Sequence, residues 1–107
     1  MNLISIANDF TKFPGGRFPE DGEFSGQEFR ENFLIPAYLS GVATTIDFDG
    51  TRGYGSSFLE EAFGGIIRQL KISSEDFFKI FTLKSSRPSL REEVTLYINN
   101  AAQKCQH

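Results

Sequence analysis

The chain has little of several residue types that usually carry chemistry. It holds one cysteine, Cys105, and one histidine, His107, in 107 residues, and no tryptophan. A lone cysteine excludes an internal disulfide. A Cys105/His107 pair at the very end lacks the spacing of a metal site and reads as a frayed terminus. With the only histidine in last place, a serine-hydrolase triad has no credible base. Positive charge is also scarce, since 11 Lys and Arg against 14 Asp and Glu leave a net charge of −3. That balance gives no electrostatic footprint for nucleic acid, and the aromatics sit among acids, as in Phe18-Pro-Glu-Asp-Gly-Glu-Phe24. Long apolar runs are missing. The longest, Ala62 to Ile67, contains two glycines and falls far short of the ~20 residues a membrane span needs. No basic region precedes an apolar stretch at the start, so no signal peptide is expected and the chain reads as cytoplasmic.

What is present fits one soluble domain over residues 1–107, with 39% apolar and 23% charged residues. Phenylalanine is abundant, at 12 residues against 3 tyrosines. Phe10, Phe13, Phe18, Phe24, Phe29 and Phe33 crowd the first third of the chain. Phe10 to Phe24 lie in a stretch rich in turn signals, and the expectation is a flap pinned across the domain by its own rings.

Leu3 to Ala7 alternates loosely and predicts a first strand. Phe13-Pro-Gly-Gly-Arg17 and Asp21-Gly22 mark turns, so Arg17 to Phe24 reads as a hairpin-like strand or an ordered loop. Ser25-Gly-Gln-Glu28 has capping-box spacing and opens a helix carrying Phe29 and Phe33, which Pro36 kinks or ends. Val42 to Phe48, rich in β-branched residues, is the expected central strand. Ser57-Phe-Leu-Glu60 repeats the capping-box spacing. Phe77 to Leu83 reads as a further strand, and Ser89-Leu-Arg-Glu92 opens a last helix with Leu90, Val94, Tyr97, Ile98, Ala101 and Cys105 on one face. The predicted fold is a small α/β domain with a mixed or mainly parallel sheet of about four strands packed by three helices.

On a regular helical wheel, Phe58, Leu59, Ala62, Phe63, Ile66, Ile67 and Leu70 form the sheet-facing half of the middle helix. Glu60, Glu61, Gly64, Gly65, Arg68 and Gln69 form the other half. Two glycines on that side each cost roughly 0.5–1 kcal/mol against alanine, so something must approach closely there. Either a partner protein or a loop of the same domain fills the notch.

A strand that ends in a glycine-containing loop and runs into a helix start is where α/β domains place anions and ligands. Ser56 and Ser57 stand at that point, with Arg52 near enough in sequence to pair with a phosphate. By spacing alone Ser57 is an N-cap, as are Ser25 and Ser89 in their helices.

The strings Ile46-Asp-Phe-Asp-Gly50, Gly53-Tyr-Gly-Ser-Ser57, Phe58-Leu-Glu-Glu-Ala-Phe-Gly-Gly65, Phe13-Pro-Gly-Gly-Arg17 and Ser25-Gly-Gln-Glu-Phe-Arg30 resemble the STAS-like domain family of bacterial proteins, over roughly residues 3 to 84. The resemblance implies a fold similar to the STAS domain of anti-sigma factor antagonists. In that domain a serine at the start of the helix after a central strand is phosphorylated by a partner kinase of the GHKL ATPase type, which switches partner binding. The Asp-Ser-Ser-Gly motif of that pattern falls on Gly55-Ser56-Ser57-Phe58, making Ser57 the phosphoacceptor candidate and Ser56 its neighbour. The flanking Gly55 and Phe58 depart from the pattern. Asp49 at the strand end either replaces the missing carboxylate, or the fold remains without the switch.

The expected partner surface combines Asp49, Arg52, Tyr54 and Gly55 with Glu60, Glu61, Gly64, Gly65 and Arg68. The expected role is a non-catalytic protein-binding regulatory module with no cofactor. One alternative is a structural or sensory subunit of a bacterial signalling or defence complex without a phospho-switch. Another is a small Mg-dependent phosphatase-like enzyme, because Asp47-Phe-Asp-Gly-Thr51 matches the first motif of haloacid-dehalogenase-type phosphatases, with Asp47 as nucleophile and Asp49 as acid/base. That chemistry also needs a later lysine and acidic ligands on further strands, which the remaining sequence does not clearly offer.

Overall fold

The computed structural model describes residues 2–105. Three parallel strands, β1 (Asn2–Ser5), β2 (Thr44–Asp47) and β3 (Phe81–Lys84), form a sheet in the order β1-β2-β3. Register pairs Ile4 with Ile46 and Ile46 with Leu83. Ile4 and Ile46 are buried while Leu3, Thr82 and Lys84, on the alternate positions, are exposed, so the helices cover one face. The helices are α1 (26–40), α2 (56–70), α3 (Ser74–Ile80) and α4 (Pro88–Cys105). Helix α2 packs against both α1 and α4 and is buried almost all round between residues 61 and 67.

The small parallel α/β domain expected from the sequence is what forms, with one strand fewer. The segment Leu3 to Ala7 stops being strand at Ser5, because Ser5 Oγ accepts from the Asn8 N–H and the Asp9 carboxylate accepts from the Ser5 N–H at 2.7 Å, which bends Ile6–Phe10 into a wide π-helical turn. Arg17 to Phe24 is an ordered loop, with a short 3₁₀ turn at Pro19–Asp21. Phe77 to Leu83 is divided between the end of α3 and β3. Ser73 and Asp76 form a reciprocal capping box that starts a helix where alternation of the phenylalanines suggested a strand. Helix α4 begins at Pro88, so Ser89 lies inside it instead of capping it. The Cys105/His107 pair lies outside the described residues.

Helices α1 and α2 share an irregularity. Each starts α-helically, at Gly26–Phe29 and Ser56–Leu59, widens into a π turn, at Arg30–Leu34 and Glu60–Gly64, and resumes as α-helix. In α1 the wide turn precedes Pro36, which has no N–H to donate, so the helix continues to Ser40 instead of ending at the proline.

The core is aromatic. Phe10 lies 5.3–5.5 Å from the rings of Phe24, Phe29 and Phe33 and 6.3 Å from Phe58. Phe63, Phe77 and Phe81 extend the cluster toward the sheet. The flap is therefore pinned by Phe10, against which Phe24, itself 37% exposed, packs edge-on. Phe13, at 63% exposure, and Phe18, at 39%, point outward and do no pinning.

Candidate functional site

The site is built from the end of β2, the loop 48–55, the first turns of α2 and the loop that precedes α1. Beyond β2 the chain buries Phe48 and turns at Gly50, whose φ of 97° suits glycine. Tyr54 locks the loop from inside. Its ring packs edge-on against Phe48, its hydroxyl donates to the Phe48 carbonyl at 2.8 Å, and burial pushes that hydroxyl up to about 12.

The two aspartates of the phosphatase-like string have separate local tasks. Asp47 Oδ1 accepts from the Asp49 N–H at 3.0 Å, and Lys84 Nζ stands 4.0 Å from Asp47 Oδ2. Asp49 Oδ1 accepts from both the N–H and the hydroxyl of Ser86, each at 2.9 Å. Those two bonds hold the Asp49 carboxyl below the usual carboxylate range. Asp49 thus ties the loop after β2 to the loop after β3, and its bonds point toward Ser86 and not toward Ser57. Among the described residues no group of three His, Cys, Asp or Glu side chains is placed to hold a metal ion.

Arg52, expected near a phosphate, is engaged elsewhere. Its N–H donates to the Lys12 carbonyl at 2.9 Å, and its guanidinium lies 5.8 Å from the centroid of the exposed Phe13 ring.

Ser57 is not an N-cap. Helix α2 is capped by Gly55, with φ −74° and ψ 145°, and no side chain closes the cap. Ser56 and Ser57 therefore occupy the first two helical positions, and both are exposed. The capping box that Ser57-Phe-Leu-Glu60 predicts does not form because the helix starts two residues earlier, at Gly55, and the Glu60 carboxylate accepts instead from Arg17 Nη1 and Arg68 Nη1, each at 2.5 Å. These cations hold the Glu60 carboxyl below its ordinary range, Arg68 most strongly and against the opposing effect of burial. Ser56 lies on the side of α2 that faces Tyr97 of α4, whose hydroxyl donates to Glu93 at 2.7 Å.

Glu60 belongs to a larger charge network. Glu61, only 8% exposed, accepts from Arg17 at 3.1 Å and from Arg30 at 2.5 Å. Arg30, equally buried, also donates to the Glu61 carbonyl and to Gln69. The notch at Gly64 and Gly65, expected to be filled by a partner or by a loop of the same domain, is filled by this network, and both glycines are buried. A Cβ on Gly65 would meet the Arg30 guanidinium, and one on Gly64 would stand 2.6 Å from Glu60 Oε2. Glu61, Gly64 and Gly65 are therefore corrected from open surface to the buried seam between α1 and α2. The reason is what covers them: Arg17 and Arg30 lie over the polar half of α2, while Phe58, Leu59, Ala62, Phe63, Ile66 and Ile67 keep their expected place in the core. Arg17, unassigned in the expected partner surface, is the residue that sequence reasoning undervalued; its only signal is its place in the Phe13-Pro-Gly-Gly-Arg17 turn.

Elsewhere, a groove of about 670 Å³ runs between β3 and α4, lined by Phe78, Phe81, Leu83, Pro88 and Leu96 among others. No helix among the described residues is long and apolar enough to cross a membrane. A family model described as a STAS-like domain of unknown function (DUF4325) matches residues 25–90, from the cap of α1 into the first turn of α4. No curated protein and no solved structure matches the chain.

Proposed function

The chain belongs to the STAS-like domain family, and on that premise we propose that it is a non-catalytic protein-binding regulatory module, resembling an anti-sigma factor antagonist and switched by phosphorylation at Ser57. The observation that carries the reading is that Ser57 is exposed in the second helical position and is relieved of capping by Gly55. Its hydroxyl is free for an incoming phosphoryl group, and a phosphate there gains from the helix dipole. A partner of the GHKL ATPase or kinase type would supply a nucleoside triphosphate. The Ser57 oxygen bonds to the γ-phosphorus, the bond to the nucleoside diphosphate breaks, and the hydroxyl proton passes to base or solvent. Ser56 is the neighbouring candidate.

The contact surface is the loop 51–57 with Glu60 and Arg68, and the local engagement of Asp47 and Asp49 supports the non-catalytic reading over a phosphatase. The cytoplasm, where such kinases work, is the proposed location. The test compares two forms of the full chain, one with serine and one with genetically encoded phosphoserine at position 57, as baits in lysate of its own cells. Capture of a nucleotide-binding ATPase by one form and not by the other supports the reading. Identical partner sets on both contradict it.

A further inference from the structure

The network over α2 holds three guanidiniums, Arg17, Arg30 and Arg68, against two carboxylates, Glu60 and Glu61, so it carries one positive charge in excess. Two of the guanidiniums are committed. Arg30 is buried and bonds Glu61 and Gln69, and Arg68 sits on Glu60 from about three turns farther along α2 than Ser57. Arg17 differs. It comes from the loop before α1 and not from a helix, its side chain is 33% exposed against 40% for Arg68, and what sets it apart is that its Nη1 reaches Glu60 and Glu61, the residues at i+3 and i+4 from Ser57, without coming from α2 itself. Helical neighbours at those spacings stand about 5–6 Å apart. The backbone of Arg17 stays fixed meanwhile, because its carbonyl and that of Gly16 accept from the free N–H groups of Gln27 and Gly26 at the start of α1.

We propose that Arg17, and not Arg52, is the intramolecular ligand of a phosphate on Ser57, exchanging its bond to Glu60 for one to the phosphate while Arg68 retains Glu60. This rests on the Ser57 switch proposed above. A dianion beside Glu60 and Glu61 is repelled by both carboxylates, and Glu93 with Tyr97 lies on the Ser56 side, so a cation able to swing is needed to hold it. The Arg52 guanidinium lies over the Phe13 ring. The consequence is that phosphorylation alters the salt bridge joining the loop 12–24 to α2, so the exposed Phe13 and Phe18 change surroundings along with Ser57.

The experiment installs phosphoserine at position 57 by genetic encoding and follows its ³¹P resonance through pH 4 to 8, near the phosphate's second ionisation at about 6. Installing the group directly separates this test from the kinase question. Pairing with Arg17 predicts an ionisation about one pH unit lower in the parent chain than in Arg17→Gln. Arg52→Gln moves it less than Arg17→Gln does. Glu60→Gln, which removes the competing carboxylate, lowers it further and covers the case in which Arg17→Gln does not fold. Equal ionisation in the parent and Arg17→Gln, a larger change in Arg52→Gln, or no lowering in Glu60→Gln overturns the proposal.

Discussion

Helices α1 and α2 open on the same sequence pattern and end up wired differently. Ser25-Gly-Gln-Glu28 forms a reciprocal cap, with the Ser25 hydroxyl accepting from the Glu28 N–H at 3.1 Å and the Glu28 carboxylate accepting from the Ser25 N–H at 3.3 Å. Ser57-Phe-Leu-Glu60 does not: α2 starts two residues earlier, at a Gly55 cap, and Glu60 pairs with Arg17 and Arg68. Each helix then widens into a π turn at the same distance from its N-cap, Ser25 in one and Gly55 in the other. A capping-box spacing is thus realised only where the helix starts at its serine. The serine that loses its cap is the one left exposed.

The largest test of this contrast is at the seam between the two helices. Arg30→Met leaves the buried Glu61 with only the longer contacts to Arg17 and Arg68 and is expected to destabilise the fold by about 3 kcal/mol, read from the urea midpoint with unchanged slope. Gly26→Ala comes next. Its new Cβ would stand 2.6 Å from the Phe58 carbonyl, forcing α1 and α2 apart, at about 2 kcal/mol in the same assay. The serines then separate: Ser25→Ala is expected to cost about 1 kcal/mol, and Ser57→Ala no more than about 0.5. Equal losses would mean that Ser57 caps its helix after all.

The smallest effect is in pH dependence. Because the folded Glu60 ionises below its ordinary range, its contribution is complete above the unfolded value and is lost as pH falls through the folded one. The stability difference between the parent chain and Glu60→Gln should therefore shrink on acidification below about pH 4.5. A constant difference from pH 7 to 3 would show that Arg17 and Arg68 do not stabilise the Glu60 charge.

Much of the fold is legible in the residues themselves. The β-branched run around Thr44 to Ile46, the cap at Ser25, and the apolar stripe of Leu90, Val94, Ile98 and Ala101 lead directly to β2, α1 and α4. Helix α3 was hidden because Phe77, Phe78 and Phe81 fit both periods, and only the Ser73–Asp76 box decides between them. The site was less legible. Glu61, Gly64 and Gly65 keep their place on the polar side of α2 and are buried because Arg17 and Arg30, from distant parts of the chain, cover that side. The partners of Arg17 lie more than forty residues away, beyond any local pattern. Spacing could place Ser57 at a helix start; only the third dimension shows that the helix begins two residues earlier, at Gly55.

The most direct measurement is phosphopeptide mapping of the protein isolated from its own cells across growth conditions, with Ser57→Ala as control. The account predicts phosphate at Ser57, lost in Ser57→Ala, and none at Ser25, whose hydroxyl is buried and committed to its cap. An unmodified peptide spanning Ser56 and Ser57 under every condition, or phosphate at Ser25 instead, would contradict it.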